Sequence, residues 1–266
     1  MSARARANLL DVRAPFPWAT LLRYLGPRAV PGAERVDTDA YSRKVGGRWL
    51  EVRYDVRRCA LALRAPPRAD GAAIRARVAR LFDPAHDAAP SAAVLRRSPI
   101  LRRRVAATPG LRPLGAWAPF ELCVRTLVGQ QVTVAAANTL MRRLAERCGG
   151  VAPERLADAK IGGIGMPSRR VESLQRFARA VADGTVPLEA GSWPEIEARL
   201  TELPGFGPWT RAYLAIRLGR DPDAFPEADV GLMRAAGAAS PRELLRMAEA
   251  WRPYRAHAAA YLWLPE

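Results

Sequence analysis

The run Leu203-Pro204-Gly205-Phe206-Gly207-Pro208-Trp209-Thr210-Arg211-Ala212-Tyr213 constrains this chain more than any other stretch. Two glycines flanking an apolar residue let the backbone reverse sharply with its N–H groups facing outward. Pro208 then suits the first position of a helix, where a missing N–H costs nothing. The pattern reads as a tight hairpin between two helices. Outward N–H groups at such a turn fit an anion, and a phosphate above all. Asp229 follows at the start of the next helical pattern, so a phosphate grip and a lone acid are close in sequence. That pairing suits chemistry on a nucleic acid.

Charge agrees. The 266 residues carry a formal net charge of +16, and Lys44 and Lys160 are the only lysines among the basic residues. A GC-rich codon bias would replace lysine by arginine, but it would not create an excess of base over acid. The balance therefore points to a polyanionic partner. Cys59, Cys123 and Cys148 are far apart, as are His86 and His257, so no zinc or iron–sulfur spacing exists. No apolar run is long enough to span a bilayer. No apolar core follows the basic Ser2-Ala3-Arg4-Ala5-Arg6, so the sequence reads as a cytoplasmic protein with no membrane association.

The predicted fold is mainly α with an N-terminal antiparallel α+β domain over 1–90. Residues 39–64 alternate in the β manner, with Leu50, Val52, Tyr54 and Val56 on one face after a turn at Val45-Gly46-Gly47-Arg48. Helical patterns at 17–28 and 70–82 flank them. From 91 onward the pattern is helical: 91–106, 119–128, 132–147, 153–160, 168–183, 193–202, 208–218, 230–237, 241–250 and 253–262. Residues 91–266 read as two helical subdomains (119–222, and 91–118 with 223–266) with a cleft between them. Ser192-Trp193-Pro194-Glu195 and Ser240-Pro241-Arg242-Glu243 have the form of capping boxes, and Gly149-Gly150 that of a helix stop. Ile161-Gly162-Gly163-Ile164-Gly165-Met166 echoes the hairpin but reads as an ordinary turn between helices.

Several motifs in order carry a resemblance across nearly the whole chain. They are Pro15-Phe16-Pro17-Trp18, Val124-Arg125-Thr126-Leu127-Val128-Gly129-Gln130-Gln131-Val132, Gly165-Met166-Pro167-Ser168-Arg169-Arg170, the hairpin, and Phe225-Pro226-Glu227-Ala228-Asp229-Val230-Gly231-Leu232. Together they resemble the helix-hairpin-helix DNA glycosylases, and within them the AlkA-like 3-methyladenine DNA glycosylase II branch. The resemblance implies an enzyme that flips a damaged base from double-stranded DNA and hydrolyses its bond to deoxyribose. The expected substrates are alkylated purines, and the expected state is a monomer. A hairpin protein that only binds DNA, or a glycosylase for oxidised or deaminated bases, are the alternatives.

Taken alone, Asp229 is a plain helix N-cap; at the family spacing it becomes the catalytic carboxylate, kept ionised by the helix start. Glu227 nearby matches no catalytic position. Trp209, Tyr213 and Trp263 are the implied walls of a base pocket, although aromatic residues at helical spacing also serve as core. Tyr24 and Trp18 read as core. Gln131 sits where the family inserts its wedge, and glutamine in place of leucine leaves damage preference open. Gly205, Phe206 and Gly207 would hold phosphate through the backbone, with Arg211, Arg169 and Arg170 as helpers. The resemblance also implies a structural sodium or potassium ion on the carbonyls of Thr201, Leu203 and Phe206, and no required cofactor. Relatives that also cleave the strand carry a lysine where this chain has Trp209, so a monofunctional enzyme is expected.

Overall fold

The computed structural model describes residues 9–264. The basic Ser2–Arg6 stretch lies outside the described residues. Five antiparallel strands, β1 (Leu9–Asp11), β2 (Glu34–Val36), β3 (Ala40–Val45), β4 (Arg48–Asp55) and β5 (Ala60–Arg64), form one sheet in the order β1-β5-β4-β3-β2. Gly46 and Gly47 both take positive φ and close the β3–β4 hairpin in two residues, the geometry that matches strand twist. Tyr41 pairs with Val52, and Val52 with Leu63, so one face of the sheet is a row of buried apolar side chains. Val56 is not part of it. Strand β4 ends at Asp55, the chain turns, and Val56 is left 71% exposed.

Helices α1 (Trp18–Leu25) and α2 (Gly71–Phe82) cover that face. Asp70 caps α2 by accepting from the N–H groups of Ala72 and Ala73. The expected helix over 91–106 is broken into α3 (Ala89–Leu95) and α4 (Arg102–Ala107), because Pro99 cannot donate within a helix and restricts Ser98 before it. The chain then runs through α5 (Pro119–Gly129), α6 (Val134–Cys148), α7 (Pro153–Ala157), α8 (Ser168–Ala182), α9 (Trp193–Thr201) and α10 (Pro208–Leu214). A π-helical turn, Ala215–Gly219, extends α10, and α11 (Val230–Ala236), α12 (Pro241–Ala248) and α13 (Arg255–Leu262) follow.

Helix ends obey local chemistry. Gly149 ends α6 in the left-handed region, and Gly150 N–H returns to the Ala145 carbonyl. Ser240 accepts from the Glu243 N–H at 3.2 Å while Glu243 reaches back to Ala239 N–H. The expected box at Ser192 is not made: Pro194 removes one of the two N–H groups an N-cap side chain can reach.

Two apolar cores divide the molecule. One joins the sheet and α1–α4 to α11–α13 through Phe82, Trp117, Phe225 and Trp251. The other lies within α5–α10, around Val124, Leu144, Phe177 and Phe206. Arg43, buried on the sheet, clasps Glu121 of α5 with two hydrogen bonds of 2.6 and 2.7 Å and ties the halves together. Arg112 is buried and, among the described residues, hydrogen-bonds to carbonyls: those of Gly110 (3.0 Å), Asp83 (2.9 Å) and Pro15 (2.9 Å). Burial pushes its guanidinium down to about 10. Among the described residues no helix is long and apolar enough to cross a membrane.

Candidate active site

The seam between the two cores opens into a cleft of about 1140 Å³. Tyr24 and Arg28 line it from the sheet side, Arg125 and the Gly129–Thr133 loop from α5, Trp209 and Tyr213 from α10, and Asp229 and Trp263 from the C-terminal helices. Asp229 is the only acidic residue in this lining.

Asp229 does two things at once. It is the N-cap of α11, with Oδ1 accepting the Leu232 N–H at 2.9 Å. Its Oδ2 accepts the indole Nε1–H of Trp209, also at 2.9 Å. A carboxylate has about four lone-pair sites, so two donors fix its orientation and leave acceptor capacity free. The capping role and the cleft role therefore coexist.

The three expected pocket aromatics form one wall. Trp209 and Tyr213 stack with centroids 5.6 Å apart and planes 8° from parallel, as successive turns of α10 require. Trp263 meets Tyr213 edge-on at 5.5 Å and 68°. Behind them the π turn widens the helix and aims Arg217 inward. Arg217 is 5% exposed and donates to the carbonyls of Leu114 and Gly115 and to the Tyr213 hydroxyl. Burial pushes the Tyr213 phenol up to about 12, against the opposing pull of Arg217.

Tyr24 is not core. It is half-buried in the cleft wall, hydrogen-bonded to Tyr213, with the Arg28 guanidinium 4.0 Å from its ring centroid. Burial raises its phenol, yet Arg28 and Arg217 outweigh that effect and leave it below the ordinary value. Trp18 is buried as expected. Arg28, Arg125, Arg217 and Gln130 were not singled out from the sequence; the Tyr24–Arg28 spacing on one helical face was the one local signal available.

The loop after α5 is pinned to the hairpin. Gln130 Nε2 donates to the Gly205 carbonyl at 2.7 Å and to Thr210 Oγ1 at 3.0 Å. Next to it Gln131 is exposed with φ +61, a left-handed conformation uncommon outside glycine. In the hairpin, Gly205 has φ +94 and a Cβ there would lie 2.9 Å from Leu127 Cδ2, so only glycine fits. Phe206 buries its ring against Phe177 at 4.9 Å and anchors the turn. Gly207 is the N-cap of α10 and faces open space. Ser173, on the first part of α8, packs against Gly205, while Arg169 one turn earlier is exposed.

Arg211, expected as a phosphate helper, lies folded over the hairpin. Its Nη1 donates to the Phe206 carbonyl at 2.7 Å, one of the carbonyls expected to hold an alkali ion. Among the described residues no group of three or more His, Cys, Asp or Glu converges as metal ligands.

Comparison with known proteins places these features. Residues 8–118 match the AlkA N-terminal domain family, and residues 124–242 match the family described as HhH-GPD superfamily base excision DNA repair protein. A Mycobacterium tuberculosis protein named probable bifunctional transcriptional activator/DNA repair enzyme AlkA is 35% identical over 280 residues. That alignment takes in 96% of this chain but 56% of the relative, so the chain spans little more than half of its length. The DNA-3-methyladenine glycosylase 2 of Escherichia coli is 31% identical over 283 residues, covering 97% of this chain and 96% of the relative. Among solved structures, the 3-methyladenine DNA-glycosylase from Archaeoglobus fulgidus superposes with a TM-score of 0.79 over 96% of this chain and 97% of that one. Its identity of 16% makes this a likeness of fold.

Proposed function

The chain belongs to the HhH-GPD superfamily of base excision DNA repair proteins, and on that premise we propose that it is a monofunctional DNA glycosylase that removes alkylated purines from duplex DNA. The observation that carries this reading is the Asp229 carboxylate, held by the Trp209 indole at the mouth of an aromatic-walled cleft. Breaking an N-glycosidic bond builds positive charge on the sugar, and a fixed anion stabilises that charge where it develops. An N-alkylated purine is cationic and leaves as a neutral base, so no strong acid is needed to help it depart.

The aromatic wall supplies the rest. A flipped, electron-poor base stacked on Trp209 with Tyr213 and Trp263 behind it gains cation–π attraction of about 0.5–2 kcal/mol per contact. Unstacking from the duplex costs a few kcal/mol, which such contacts offset. Gln131 stands at the rim as the side chain to fill the vacated space. Its left-handed backbone costs on the order of 1 kcal/mol, strain that a loop shaped for insertion retains. Gly205 and Gly207 present the hairpin backbone to a phosphate, and the excess of arginine draws the polyanion in. No lysine follows Lys160 in the sequence, so no ammonium side chain stands in the cleft to attack the sugar.

One observation favours a second reading. Two arginines, Arg28 and Arg125, line the cleft against a single carboxylate, and Arg217 lies behind its aromatic wall against Tyr213. Cations there favour neutral lesions, such as deaminated or oxidised bases, whose base departs with negative charge.

Release of free base from duplexes carrying one alkylated, one deaminated or one oxidised base tests both readings, with borohydride added during turnover. Rapid release of the alkylated purine and no trapped protein–DNA adduct is the expected result. Failure to release any alkylated base overturns the proposal, and a trapped adduct overturns its monofunctional part.

A further inference from the structure

The hairpin of this chain carries its own cation. An alkali ion on the carbonyls of Thr201, Leu203 and Phe206 would have to share two of those oxygens with donors already bonded to them. The Phe206 carbonyl already accepts Arg211 Nη1 at 2.7 Å, and the Leu203 carbonyl accepts the Phe206 N–H at 3.4 Å within the turn. A metal ion on Phe206 would therefore lie within a few ångströms of a guanidinium that does not lose its proton, and like charges so close repel. The donor set does not fit a second cation.

We propose that Arg211 takes the place of a hairpin metal ion, bridging the Phe206 carbonyl to a backbone phosphate of bound DNA. The proposal rests on the reading of the hairpin as the DNA-binding turn. Three observations support it. Arg211 lies on α10 directly behind the turn, and its side chain folds back over it to reach Phe206. That side chain remains 24% exposed, so part of the guanidinium faces solvent. A guanidinium has five N–H donors in one plane; one is used on Phe206, and the others suit the paired oxygens of a phosphate. Glu197 Oε1 forms an ion pair with Arg211 Nε at 4.0 Å, which offsets part of its charge, but it stands beyond hydrogen-bond distance and leaves the remaining N–H donors of the fork available.

An ion has to be captured from solution, and its occupancy follows its concentration. An arginine is always present. DNA binding by this protein is then indifferent to which monovalent cation the buffer holds, apart from general screening.

The experiment measures Kd for an undamaged duplex at fixed ionic strength, with either potassium or tetramethylammonium as the cation. The wild type holds the same Kd in both. Arg211→Ala loses about tenfold in tetramethylammonium, the worth of one charge-assisted contact, and recovers part of that loss when potassium is supplied. Arg211→Lys keeps a cation at the turn and stays indifferent to potassium, which separates the effect from a folding defect. A wild type that weakens several-fold without potassium overturns the proposal, as does an Arg211→Ala variant with wild-type Kd in both buffers. Gly207→Asp serves as the separate check on the hairpin itself, because position 207 accepts a side chain without contact. If that introduced negative charge leaves Kd unchanged, the DNA-binding turn has been misassigned, whatever Arg211 does.

Discussion

Replacing Asp229 by asparagine removes one unit of charge and almost nothing else. Asparagine caps helices as well as aspartate does, so its Oδ1 goes on accepting the Leu232 N–H of α11. The amide nitrogen then faces the Trp209 indole N–H, donor against donor, where Oδ2 accepts at 2.9 Å in the native site. A carboxylate about 4 Å from a developing sugar cation, at an effective dielectric near 20, is worth about 4 kcal/mol, or about a thousandfold in rate. Loss of the indole hydrogen bond adds about 1 kcal/mol by releasing the Trp209 ring. Single-turnover release of an alkylated purine, with enzyme in excess over a duplex holding one lesion, reads the chemical step without interference from product release. The expected result is a rate at least about a thousandfold below wild type, with Kd for abasic duplex and Tm unchanged. Trp209→Phe separates the two contributions, since it keeps the charge and the stack on Tyr213 but removes the donor; its loss is about tenfold or less. An Asp229→Asn rate within about tenfold of wild type, or equal losses in both variants, refutes the electrostatic reasoning.

Two further outcomes concern stability. His257 Nε2 lies 3.1 Å from His86 Nε2, and burial first, then His86 and Arg112, push its imidazole down from 6.5 to about 3. The unfolded chain then binds the proton more readily, so this contribution is fully present above pH 6.5 and is lost as pH falls toward 3. Urea unfolding of the wild type should lose up to about 1.4 kcal/mol per pH unit on acidification; His257→Gln should give a flatter profile, and parallel profiles would contradict the assignment. Arg217→Met strands the carbonyls of Leu114 and Gly115 and the Tyr213 hydroxyl. Unsatisfied buried groups cost about 1–3 kcal/mol each, partly offset by removing a buried charge, so a net loss of about 3 kcal/mol in urea is expected. Wild-type stability in that variant would show that the carbonyls find water.

What could be read in the chain was what local chemistry decides. The hairpin glycines, the cap at Asp229, the stop at Gly149 and the two-glycine turn at Gly46-Gly47 each follow from rules that act over a few residues. The stacking of Trp209 on Tyr213 follows from helical spacing in the same way. Misreadings arose where a second local rule competed. Pro99 overrode an apolar helical pattern, Pro194 removed the donor that Ser192 needed, and the turn after Asp55 withdrew Val56 from the sheet face. The cleft role of Tyr24 has no local signal, because the cleft exists only once α1 meets α10. Arg217 was hidden for a stronger reason. Nothing in a sequence marks one arginine among so many as the one whose partners are carbonyls far away in the chain.

That burial also decides how the charge of Arg217 responds to salt. Surface guanidiniums are cloaked by counterions, and their pull fades as ionic strength rises. Arg217 sits buried behind the aromatic wall, its donors bound to two carbonyls and the Tyr213 hydroxyl. Its charge acts on the cleft through low-dielectric protein, where salt screens it less than the charges outside.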